Sequence, residues 1–137
     1  MSAENIIDRL ALEPHPEGGW YRETWRDPTR PRGAGSAIYF LLRTGEVSHW
    51  HRLDAVEVWH HYLGASIEHS TMHDGEVVTA ALGADLAAGE IPQLVVPAHT
   101  WQSARSQGEW TLVGCTMAPA FIFDGFELAP PDAKPGW

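Results

Sequence analysis

The chain has 137 residues, 44% of them hydrophobic, which is enough for one domain with one core and too little for two. Nine Lys and Arg against 18 Asp and Glu leave a formal net charge of -9, which argues against a nucleic-acid partner, because binding to phosphate backbones is dominated by basic side chains. No apolar run approaches the roughly 18 residues of a membrane span, and the N-terminus lacks a basic start followed by a hydrophobic block, so the expectation is a cytoplasmic protein without membrane contact.

The first element expected is a short helix. Ser2 is a plausible N-cap, and Ala3, Ile6, Ile7, Leu10 and Ala11 recur at helical spacing. Pro14 and Pro16 end it. The block from Glu17 to Glu23, EGGWYRE, is polar and aromatic; its two glycines allow a sharp turn or a close approach to another surface. A loop marked by Pro28, Pro31, Gly33 and Gly35 follows.

From Ala37 onward the chain breaks into short β-rich runs: AIYFLL, VSHWHR, EVWHHYL, SIEHSTM, EVVTAAL, QLVVP, TWQSA, WTLVGCTM and FEL. Eight or nine strands at this spacing predict a sandwich or barrel. The expected division is a helix over 1–13, an arm over 14–35, a barrel over 36–128 and a tail over 129–137, all in one domain. Cys115 is the single cysteine, forms no internal disulfide, and reads as a packed residue in a buried strand. Six of the eight arginines lie between Arg22 and Arg52, where surface pairing with Asp and Glu is the simplest role.

The segment GEVSHWHRLDAVEVWHHYLG, from Gly45 to Gly64, carries the chemistry. Residues two apart on a strand share a face, so His49 and His51 are expected to point together, and Glu57, Trp59 and His61 to share a face on the next strand. Two imidazoles and a carboxylate either hold a divalent metal or transfer protons. His15, His60, His69 and His73 read as surface or structural histidines.

His49-x-His51, Glu57 and Gly64 resemble the first motif of the cupins, and PAHTWQ from Pro97 falls where their second motif lies. A narrower resemblance, to the cupin branch of domain of unknown function 985, covers nearly the whole chain through HPEGGWYRETWR, AIYFLL, SHWHR, EVWHHYLG, VVPAHTWQ and LVGCTMAPAFIFDGFEL. It implies an all-β fold, the cupin double-stranded β-helix or jelly-roll barrel, with a short N-terminal helix. It also implies a homodimer, to which an apolar AIYFLL beside tryptophan-rich strands adds weight.

The resemblance implies a metal at His49, His51 and Glu57, yet the position of the usual third histidine holds Gln102, whose amide oxygen is a poor ligand for metals that favour imidazole. His99, in the same turn, is the substitute candidate. Without metal, His49 or His51 would act as base, with Glu57 as its orienting carboxylate and Tyr21 or Tyr39 as an acid, as in cupin-fold deoxysugar-nucleotide epimerases. Glu17, Tyr21, Arg22, Tyr39, Trp59, His61 and Gln102 are the candidate ligand-binding residues, Trp59 as a stacking surface for a sugar or base. Three function classes follow: an isomerase or epimerase of a sugar or sugar nucleotide, a metal-dependent oxygenase or hydrolase, and a non-catalytic nucleotide or carbohydrate binder.

Overall fold

A computed structural model describes residues 1–135 and 137. Helix α1 (Ala3–Leu10) opens the chain, and its cap is the one expected: the Ser2 hydroxyl accepts the Asn5 N–H at 3.1 Å. Eleven strands follow: β1 (Glu13–Pro14), β2 (Trp20–Arg26), β3 (Ser36–Arg43), β4 (Val47–Leu53), β5 (Val56–Gly64), β6 (Ile67–His73), β7 (Glu76–Leu82), β8 (Gln93–Val96), β9 (Gln102–Ser106), β10 (Trp110–Ala118) and β11 (Phe126–Leu128). The sheet therefore begins within the arm, where β1 and β2 add to the strands expected from residue 37 onward.

The strands form two antiparallel sheets, ordered β1-β2-β3-β10-β5-β8 and β11-β4-β9-β6-β7. Alternation explains the packing. Along AIYFLL, Phe40 and Leu42 enter the core between the sheets with Trp59, Ile67, Leu82, Val96, Val113 and Cys115, while Tyr39 and Leu41 face out beneath α1. Ala3 and Ile6 of the helix bury against Leu41 and Leu112, so the chain's own helix covers that side of the apolar run. Among the described residues no helix is long and apolar enough to cross a membrane.

Two register irregularities decide which polar side chains reach the interior. One lies on β4 opposite β9, between Ser48 and His51. The other lies where β5 meets β10, between Leu112 and Val113. A bulge of this kind inserts a residue and flips the parity of everything beyond it.

Candidate functional site

The interior polar cluster is assembled from four places. Glu17 sits at the tip of a tight turn in which Gly18 donates to the His15 carbonyl at 3.0 Å and His15 donates to that of Gly19 at 2.9 Å. Gly18 has φ +110, and a Cβ there would lie 2.1 Å from the Val47 carbonyl oxygen, so only glycine lets the turn press against β4. The Glu17 carbonyl accepts the His49 N–H at 2.9 Å, which pins the turn to that strand. The Glu17 side chain, 10% exposed, then reaches the Ser48 hydroxyl and lies 3.5 Å from His51 Nδ1.

His51 is buried and its tautomer is set. Nδ1 lies 2.7 Å from the His49 carbonyl, an acceptor, so Nδ1 carries the proton and Nε2 keeps its lone pair when the ring is neutral. Burial holds its pKa below the ordinary histidine value, against the opposing pull of Glu57. The orienting partner of His51 is thus the His49 backbone carbonyl, in place of the Glu57 carboxylate that the sequence leads one to expect.

Glu57 is held from behind. Its Oε1 accepts from Trp59 Nε1 and from Gln102 Nε2, both at 3.0 Å; Gln102 Oε1 in turn accepts from Trp59 Nε1 at 3.1 Å and from His69 Nε2 at 2.8 Å. Glu57 Oε2 is left without a protein hydrogen-bond partner among the described residues. Burial raises the Glu57 pKa to about 7 and that of Glu17 to about 8. Both carboxyls line a cavity of about 430 Å³ whose walls include Tyr21, Ile38, Cys115, Met117 and Phe121, with Glu23, Arg26 and Phe123 near its mouth.

Residues 4–129 match the Cupin superfamily (DUF985) family. The chain belongs to that family. Among solved structures, a protein from Shewanella oneidensis determined by X-ray crystallography is 46% identical with a TM-score of 0.91, over 94% of this chain and 85% of that one. A hypothetical protein from Leishmania major is 29% identical, TM-score 0.87, over 94% of this chain and 88% of that one. Oxalate decarboxylase from Bacillus subtilis shares the fold at 14% identity and TM-score 0.67, over 84% of this chain and 29% of that chain. No curated protein matches.

Several cupin-based expectations are corrected by the geometry. His49 does not join His51: the β4 bulge brings Ser48 and His51 into phase, and His49 is turned out to the Pro130 carbonyl, 2.8 Å from its Nε2. His61 leaves the face of Glu57 and Trp59 and directs Nε2 to the Gly64 and Ala65 carbonyls at 3.2 and 3.1 Å, capping a turn beside the second irregularity. Arg22 and Tyr39 pair across β2 and β3 on the outer face, with the guanidinium 5.8 Å from the ring centre, because Tyr21 and Phe40 take the inner positions. Trp59 is 1% exposed and enclosed edge-on by Phe40 and His69, so it supports Glu57 and offers no stacking surface. His99 is exposed in a left-handed turn, φ 64, the conformation that normally calls for glycine.

The expected metal donors are therefore scattered. His49 and His99 point away, Gln102 Oε1 already accepts two bonds, and no group of three His, Cys, Asp or Glu side chains among the described residues is placed to hold an ion. This donor set does not fit a divalent metal.

Three interior groups were underrated in the sequence. His15 and His69 read as surface or structural histidines, yet His15 Nδ1 accepts the Glu17 N–H at 3.1 Å and His69 anchors Gln102; burial pushes both down to about 4. The alternation of Ile67 and His69, both fully buried, was the available signal for the second. Cys115 packs as expected but also lines the cavity, its thiol pushed up by burial and by the two carboxyls.

These shifts predict an unusual pH dependence of stability. Glu17 and Glu57 bind protons more tightly folded than unfolded, so their contribution is complete below about pH 4.5 and is lost as pH rises through 7 and 8. His15 and His69 run the other way: their contribution is present above about 6.5 and lost as pH falls through 4. The two trends offset one another between those limits, and above neutrality only the carboxyls remain. Urea denaturation of the ligand-free protein is expected to show about 2 kcal/mol lost between roughly pH 6.5 and 8, and Glu17→Gln to remove most of that loss. A Glu17→Gln profile parallel to wild type would show that another group drives it.

Proposed function

We propose that the cavity is the active site of a metal-independent isomerase or epimerase acting on a small hydroxylated carbonyl compound of sugar size. The observation that carries the reading is the pair of buried carboxyls, Glu17 and Glu57, which line one cavity and whose pKa values burial raises to about 8 and about 7. A carboxyl poised in this range serves as base in one step and acid in the next. The cavity volume of about 430 Å³ is within the range that encloses a small ligand.

In this reading the ionised Glu57 removes the proton from the carbon beside the carbonyl, while the protonated Glu17 delivers its proton to the carbonyl oxygen, giving an enediol. Glu57 then returns its proton to carbon while ionised Glu17 takes the proton of an enediol hydroxyl and the carbonyl re-forms. Protonation of the neighbouring carbon with loss of the other hydroxyl's proton gives isomerisation, protonation of the same carbon on its opposite face gives epimerisation, and both carboxyls are restored. His51 lies 3.5 Å from Glu17, and its charge, when the ring is protonated, opposes the rise in the Glu57 pKa. Gln102, Trp59 and His69 are positioning residues that hold Glu57 Oε1 and leave Oε2 free for the substrate.

The test is incubation with a panel of aldoses, ketoses and their amino derivatives in deuterium oxide, followed by mass spectrometry. The expected result is incorporation of one deuterium at a carbon next to the carbonyl of at least one compound, at a rate proportional to protein. Tight binding without exchange in any compound would favour the non-catalytic binder.

A further inference from the structure

The cavity is short of positive charge. Glu17, Glu57 and Glu23 bring three carboxyl groups to its lining, and Arg26, which supplies the guanidinium there, is already bound to Glu23 through contacts of 3.0 and 2.7 Å. The three inner imidazoles do not make up the difference. His15 accepts a backbone N–H on Nδ1, His51 donates Nδ1–H to a carbonyl, and His69 donates to Gln102, each a bond that a neutral ring makes, and burial disfavours the charged form of all three.

An uncompensated carboxylate away from water is costly, and the deficit is removed either by a proton or by a cation brought in from outside. Glu57 is 8% exposed, lines the cavity, and keeps Oε2 without a protein partner among the described residues. The walls suit an organic cation and not a hydrated one. Tyr21, Phe121 and Phe123 line the cavity, the last two edge-on to each other at 4.9 Å, so its wall is partly aromatic, and aromatic rings attract organic cations. A phosphate or carboxylate in the same space would be desolvated opposite two carboxyl groups with no free guanidinium or ammonium to receive it.

We infer that the ligand of this cavity is a small organic amine, its ammonium group held in the negative field of Glu57, Glu17 and Glu23 without displacing the reacting carbons from the two inner carboxyls, and its carbon skeleton against the aromatic wall. This rests on the reading of the cavity as the substrate site, and it sets aside sugar nucleotides, whose diphosphate is the wrong charge, in favour of amino sugars and related amino alcohols.

Three probes of one shape and different charge test it: cyclohexylammonium, cyclohexanol and cyclohexanecarboxylate, titrated into the purified protein at pH 8 by calorimetry. The amine is expected to bind at least about tenfold more tightly than the carboxylate, with the alcohol between them. Glu57→Gln and Glu17→Gln, both near-isosteric and checked for folding by thermal unfolding, are each expected to weaken the amine about tenfold and to narrow the gap between probes. Equal or tighter binding of the carboxylate, amine affinity unchanged in both variants, or no binding by any probe overturns the inference. Because binding is read without turnover, amine selectivity with no deuterium exchange defeats proton transfer alone, and exchange into an uncharged compound without amine selectivity defeats the amine inference alone.

Discussion

Glu57→Gln is expected to lower the rate of solvent-proton exchange into substrate by about 10²–10⁴-fold while leaving the fold intact. The two halves of that expectation come from different oxygens. Oε1 accepts from Trp59 and Gln102, and a glutamine carbonyl oxygen placed there accepts the same two bonds. The amide nitrogen then occupies the Oε2 position, facing the cavity, where it neither takes nor gives a proton in the reaction. Removing a carboxyl that burial holds near 7 also removes part of the alkaline destabilisation, so the variant is expected to be at least as stable as wild type at pH 8. The check is deuterium incorporation and urea denaturation on the same preparation. Full exchange in a folded Glu57→Gln protein would remove Glu57 from the chemistry.

Trp59→Ala is expected to produce the largest stability change, about 3–5 kcal/mol, or roughly 10–15 °C in the unfolding midpoint. The indole is 1% exposed and sits where the two sheets meet, edge-on to Phe40 at 5.8 Å and to His69 at 5.1 Å. Its loss leaves a void in a close-packed layer and strips one donor from both Glu57 and Gln102. Trp59→Phe separates the two effects: most of the ring volume returns while the N–H does not, and a cost of about 1–3 kcal/mol is expected. Denaturation of both variants checks this. A loss below about 1 kcal/mol for Trp59→Ala would contradict a structural role for the ring.

Much of the fold was legible because it follows from period and punctuation. Ser2 and the Ala3, Ile6, Leu10 spacing predicted a helix that the structure places on the outside of the sheet, and the alternating runs from Ala37 predicted strands. The cupin assignment followed from several blocks in order. What parity could not supply was the position of the bulges. His49 and His51 stand two apart, and on a regular strand they would converge; one inserted residue puts Ser48 and His51 inside and His49 outside. Strand parity gives Glu17 no place in the site, because its position depends on a glycine turn docking against a strand about thirty residues away. Gln102 stands where a third imidazole ligand is expected, and in the fold it bridges His69 to Glu57.

Proton transfer by the two carboxyls that line this cavity depends on where they titrate. The most direct measurement is the titration of the glutamate side-chain carboxyl carbons by carbon-detected nuclear magnetic resonance in the ligand-free protein. The account predicts two glutamates titrating near 7 and 8, one missing in Glu57→Gln and the other in Glu17→Gln. Titration of both below about pH 5, in the range of ordinary exposed glutamates, would contradict it.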